Sequence, residues 1–169
     1  MESTTDGTPI DPRRVDYHEI ARRGDAEVLE MFLKAGLDPD LTDERGYSLV
    51  MIAAYNGQAT TVRLLLDYGA DPDRPDAGGN TPLMGIGFKG YVDVARVLLD
   101  YDAEIEACNG GGVTALMFAA MFRQSDLVEL LLERGADPAA TNEEGNTAAD
   151  VAGMQGHAAL AERLGRLIE

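Results

Sequence analysis

An all-α repeat solenoid is expected of this chain, because three sets of marks recur along it in one shared phase. Four glycines open similar phrases: Gly46-Tyr47-Ser48-Leu49-Val50, Gly79-Asn80-Thr81-Pro82-Leu83, Gly112-Val113-Thr114-Ala115-Leu116 and Gly145-Asn146-Thr147-Ala148-Ala149. Their positions, 46, 79, 112 and 145, differ by 33 each time. A second glycine follows at Gly57, Gly90 and Gly156, with Arg123 in that place in one unit. The third mark is Gly-Ala-Asp-Pro at Gly69 to Pro72 and Gly135 to Pro138, answered by Asp102-Ala103-Glu104-Ile105 in the unit between. A unit of this length cannot bury its apolar face alone, so its copies must stack.

Each element of a unit has a physical reason. Thr81-Pro82 sets a hydroxyl capping residue before a proline at the first helical position, and Ser48, Thr114 and Thr147 can cap in the same way. The first helix is short and runs roughly to Gly57 or Gly90, where glycine permits a left-handed end. The second helix carries aliphatics three and four apart on one face: Val62, Leu65 and Leu66; Val94, Leu98 and Leu99; Val128, Leu131 and Leu132. Gly69 stops that helix, and the polar stretch from Asp71 to Gly78 reads as a turn or hairpin. One period earlier stand Gly24 and Gly36-Leu37-Asp38-Pro39, so a degenerate first unit begins near Arg13. The expected organisation is a flexible arm at 1–12 and one domain at 13–169. Within it, 13–45 is a capping unit, 46–78, 79–111 and 112–144 are full units, and 145–169 closes the stack. Arg22 and Arg23 in the first unit, and Glu162, Arg163, Arg166 and Glu169 in the last, are the polar substitutions expected where stacking stops.

The totals exclude several functions. The chain has 169 residues, 45% of them hydrophobic, which is enough for a packed core. Aromatics make up 6% and tryptophan is absent, which suits many small aliphatic contacts. Formal net charge is -16. Nucleic-acid binding and docking on anionic lipid both need a cationic surface, so neither is expected. Attraction to a basic partner is allowed, with plain solubility as the alternative reading. Cys108 is the single cysteine, so no intrachain disulfide forms and a reducing compartment fits. Met1 to Pro12 is polar and shows no signal peptide, and no apolar run approaches the ~18 residues of a membrane span. A cytoplasmic location is expected, or a periplasmic one if a leader had been removed from this chain.

No catalytic constellation emerges. His18 and His157 lie in the first and last units, so neither a Ser/His/Asp group nor a zinc site can be assembled from them. Gly110-Gly111-Gly112 lacks the lysine and hydroxyl of a phosphate-binding loop and falls in register as a hairpin. Nothing near Cys108 would activate its thiol. The chain is expected to be no enzyme and to hold no metal.

The 33-residue period, Thr-Pro-Leu at Thr81 to Leu83 and Leu-Leu-x-x-Gly-Ala at Leu65 to Ala70 together resemble the ankyrin repeat, over Arg13 to Glu169. The resemblance implies about five repeats and a module that binds another protein, expected as a monomer. The histidine that normally follows Thr-Pro-Leu is replaced by Met51, Met84, Met117 and Asp150, with His18 alone in that place. That histidine ties neighbouring repeats by hydrogen bonds, so burial is expected to carry more of the stability here. Asp102 stands where a glycine usually takes a positive φ.

In ankyrin folds the hairpins and the ends of the first helices line a concave face. Carried over, that face holds Arg22, Arg23, Arg45, Tyr47, Tyr55, Phe88, Lys89, Met121, Phe122 and Met154. Tyr55, Phe88, Met121 and Met154 are equivalent by the 33-residue step. With helices packed roughly 8–10 Å apart, this row would run roughly 30 Å. Aromatic and methionine side chains suit a binding hot spot; the plainer reading is that they pack against the next repeat. The arginines and Lys89 make the expected groove apolar and basic at its N-terminal end, with Glu143 and Glu144 at the other.

Ala53-Ala54-Tyr55-Asn56-Gly57, Gly87-Phe88-Lys89-Gly90 and Ala115 to Arg123 also resemble small stand-alone bacterial ankyrin proteins associated with catalase. That resemblance implies support of a catalase or another oxidative-stress enzyme. Two other readings stay open. Tyrosine phenolate can ligate haem iron, so Tyr55 or Tyr47, beside Phe88 and Met121, would make this a haem-binding or haem-delivery protein. An immunity or inhibitor protein would instead plug a basic partner with its acidic surface. No other cofactor is expected.

Overall fold

The structure, a computed structural model, describes residues 15–168. The arm expected at 1–12 lies outside the described residues. Ten helices follow one another in pairs: α1 (Tyr17–Arg23) and α2 (Ala26–Lys34), α3 (Leu49–Tyr55) and α4 (Ala59–Asp67), α5 (Pro82–Ile86) and α6 (Val92–Asp100), α7 (Ala115–Met121) and α8 (Ser125–Glu133), α9 (Ala148–Met154) and α10 (Ala158–Gly165). First helices pack on first helices, from α1 to α9, and the second helices from α2 to α8 form the layer behind. Hairpins join the pairs, and among the described residues the only bridges outside strands are Thr42 to Ser48 and Cys108 to Thr114.

The caps form as the hydroxyl positions demand. Ser48, Thr81 and Thr114 accept from the backbone N–H of Met51, Met84 and Met117 at 3.1, 3.4 and 3.4 Å. Thr147 and Asp150 complete a reciprocal capping box. In the first unit Val15 stands at the cap position and has no acceptor, so Asp16 caps one residue later, from the N–H of Glu19 at 2.9 Å. Among the described residues, two other than glycine hold left-handed geometry: Arg123 at φ 55° and Asp102 at φ 60°. Asp102 takes the dihedral expected of it; Arg123 carries strain that glycine avoids in the sister units.

One continuous core runs through the stack. Val62, Leu65, Val94, Leu98, Val128 and Leu131 are fully buried, whereas Leu99 and Leu132 are only partly so. Met51, Met84 and Met117, in the histidine place, are buried core residues. Hydrogen bonds between units occur at other positions. Gln58 Nε2 donates to the Arg22 carbonyl at 3.2 Å, Gln124 Nε2 to the Phe88 carbonyl at 2.9 Å, and His157 Nε2 lies 3.0 Å from the Met121 carbonyl. The equivalent Tyr91 instead lays its ring beside Gly57, where an added Cβ would stand 3.2 Å from it. A second row of ties is acidic: Asp40, Asp73 and Glu106 accept from the N–H of Asp71, Glu104 and Asp137 at 2.9, 2.9 and 2.8 Å. His18 Nε2 is buried with no partner among the described residues.

The terminal units are less polar than expected. Val28 and Met31 on α2, and Leu167 and Ile168 after α10, are exposed. Thr61 is the opposite case: it is fully buried and its hydroxyl has no hydrogen-bond partner among the described residues. Its equivalents are Val94 and Leu127. Thr61→Val keeps the shape and removes the orphaned group, so urea unfolding should show a gain of about 1 kcal/mol; a loss would mean the hydroxyl is satisfied.

Candidate partner-binding groove

The ends of the first helices and the hairpins before them enclose a groove of about 770 Å³. Its hairpin wall is set by a row that the sequence reading passed over. Asp43, Asp76, Asn109 and Asn142, again 33 apart, fold their side chains back onto their own hairpins. Asp43 accepts from the N–H of Arg45 and Tyr47, and Asp76 from those of Gly78 and Asn80. This fixes the direction in which Arg45 and Tyr47 leave the chain.

The helix wall is aromatic. Tyr55 closes α3, and Phe88 follows the short α5. Their rings are parallel within 2°, centroids 6.5 Å apart. Phe88 meets Phe122 edge to face at 4.7 Å. Lys89 Nζ lies 5.5 Å from the Tyr55 ring centroid and 5.2 Å from that of Phe88. The three rings thus pack on one another across repeats and still stay 44%, 45% and 38% exposed. Behind them, Met51 and Met84 are buried under the groove, and Ile52 and Phe118 complete its floor beside Gly85.

Of the residues singled out in the sequence, Arg22, Arg45, Tyr47, Tyr55, Phe88 and Phe122 line this groove together. Arg23, Lys89, Met121 and Met154 are not among its lining residues. The aromatic row passes from Phe88 to Phe122 rather than to Met121. Met154 is exposed at the far end of the stack. The groove is also less basic than expected. Arg22 pairs with Glu19 at 2.5 Å, Arg23 reaches the same carboxylate at 3.6 Å, and Asp43 and Asp76 stand in the lining. Arg45 and Lys89 have no ion pair among the described residues.

Met51, Ile52, Met84, Gly85, Phe118 and the two aspartates are the lining residues that sequence reasoning missed. Gly85 was legible: its row reads Ile52, Gly85, Phe118, Val151. No group of three His, Cys, Asp or Glu side chains able to hold a metal occurs among the described residues. None of their helices is long and apolar enough to cross a membrane. What the groove offers is an apolar, aromatic surface with Arg22 and Arg45 among its lining residues.

A family model of three ankyrin repeat copies matches residues 17–109, and one of many copies matches 98–152. Among curated proteins, a protein of Pseudomonas aeruginosa named as an ankyrin repeat protein is 44% identical over 39 residues. That match spans 23% of this chain and 23% of the relative. With its stacked helix pairs, hydroxyl caps and 33-residue phase, the chain belongs to the ankyrin-repeat family, whose repeats are generally protein–protein interaction modules and typically not enzymes.

Proposed function

We propose that this protein binds another protein in the groove walled by Tyr55, Phe88 and Phe122. The observation that carries the reading is the exposure of these three packed rings, at 38% to 45%, beside a core already filled by leucine and alanine. Large rings held rigid by their neighbours lose little entropy on docking, which favours them as anchors. The backbone at Phe88 is held as well, because Gln124 donates to its carbonyl. Resemblance to catalase-associated ankyrin proteins makes a catalase or another stress-defence enzyme the first partner to try. The test is affinity purification from the native host, followed by calorimetry with the purified partner. Tyr55→Ala/Phe88→Ala should weaken binding about thirtyfold or more, as the loss of hot-spot anchors does, without changing helicity; unchanged affinity would sink the reading.

A second reading, haem binding, draws on Tyr47 and Tyr55 lining the same groove as Arg22 and Arg45. A phenolate would ligate the iron and the guanidinium groups would meet the propionates. A haem titration with no shift of the Soret band would remove it.

A further inference from the structure

One residue of the groove floor has no structural reason to be what it is. Gly85 lies within α5, where glycine weakens a helix. Its φ is not in the left-handed region. A Cβ built on it would meet only Tyr55 Cδ2, at 3.9 Å. Gly87, two residues on, is different: there a Cβ would stand 2.6 Å from Phe118 Cβ. The equivalents of Gly85 are Ile52, Phe118 and Val151, so the fold accepts bulk at this position. What the missing side chain leaves is a notch in the floor beside the Tyr55 ring, at the place that Ile52 and Phe118 fill in the neighbouring units.

The rim above the notch has its own chemistry. The chain carries 30 acidic residues against 14 lysines and arginines. Even so, Arg45 and Lys89 pair with no carboxylate among the described residues. Asp43 and Asp76, which share that rim, are turned into their own hairpin N–H groups. Lys89 hangs over Tyr55, the ring beside the notch, and over Phe88.

We propose that the partner presents a segment with a bulky apolar side chain next to an aspartate or glutamate. The apolar side chain enters the notch over Gly85, and the carboxylate meets Arg45 or Lys89. This rests on the protein-binding reading above and supplies its specificity. Burial of the anchor gives affinity, and the local cations overcome the repulsion that so acidic a body would impose on an acidic segment.

The experiment selects random peptides displayed on phage against the full chain, then titrates fluorescein-labelled copies of the selected peptides by anisotropy. The expected sequences carry leucine or an aromatic residue beside Asp or Glu. Gly85→Leu fills the notch and should lower their affinity about thirtyfold. Circular dichroism should show it folded and no less stable, since its sister positions carry Ile and Phe. Arg45→Glu/Lys89→Glu should weaken binding and reverse its salt dependence, added salt then strengthening what binding remains. Selected peptides without acidic residues, or peptides that bind Gly85→Leu as well as wild type, would overturn the proposal. So would a chain that self-associates in sedimentation unless Gly85→Leu is present, because a second copy would then be the occupant. If Tyr55→Ala/Phe88→Ala loses the peptides while Gly85→Leu keeps them, the groove reading stands and the notch falls. If neither substitution matters, both fall.

Discussion

Leu98→Ala is expected to cost about 3 kcal/mol of stability, within the range for truncating a fully buried leucine, and to break the cooperativity of unfolding. Leu98 is fully buried in α6, which packs between α4 and α8 in the second-helix layer. Its equivalents in the units above and below, Leu65 and Leu131, are also fully buried. In a solenoid, stability is a sum of unit terms and nearest-neighbour interfaces. A cavity at the centre weakens two interfaces at once, so the halves on either side should unfold in separate steps. Leu164→Ala is the control: Leu164 is equally buried but sits in the last helix. There the loss should fray one end and leave the remaining units a single transition. Urea melts followed by circular dichroism read both the midpoint and the number of steps. One unshifted transition for Leu98→Ala would contradict the nearest-neighbour account.

Gly87→Ala should destabilise the chain by about 2 kcal/mol, the ordinary scale of overpacking. Sequence logic alone points the other way, because the backbone at Gly87 is right-handed helical, φ -54° and ψ -32°, where alanine normally gains about 1 kcal/mol over glycine. The new methyl would stand 2.6 Å from Phe118 Cβ, 2.9 Å from the Met84 carbonyl oxygen and 3.3 Å from the Ala119 nitrogen. None of these atoms is the free end of a flexible side chain, so α5 and α7 must move apart. Phe118→Ala should not rescue the variant, because it keeps the Cβ; Phe118→Gly should relieve part of the clash. Thermal melts of the two double variants decide the matter, and a stabilised Gly87→Ala would show that the helices separate without cost.

The phase of the glycines was sufficient for the solenoid, because a 33-residue step forces equivalent residues into equivalent places. The hydroxyl caps and the buried leucine row followed from local chemistry. The lateral path of the aromatic row was less legible. Tyr55 and Met121 are the last residues of α3 and α7, but α5 ends at Ile86, so Phe88 leaves from a turn and meets Phe122. A fixed step assumes that each unit keeps its helix length, and this one does not. The charge of the groove was misjudged for another reason. The hairpin row was passed over, so Asp43 and Asp76 were left out of the lining, and the sequence alone did not show that Arg22 and Arg23 share the Glu19 carboxylate.

The row of side chains that reach back to the preceding unit has a mechanical consequence. Gln58, Gln124 and His157 each tie down a carbonyl on the inner edge, at Arg22, Phe88 and Met121. At the remaining joint Tyr91 offers only van der Waals contact with Gly57. The outer side of that same joint stays fastened, by the Tyr101 hydroxyl on Asp67 and the Glu104 N–H on Asp73. That joint therefore relies on apolar contact along its inner edge, where Tyr55 and Phe88 meet ring to ring, so the same two side chains wall the groove and hold the units together.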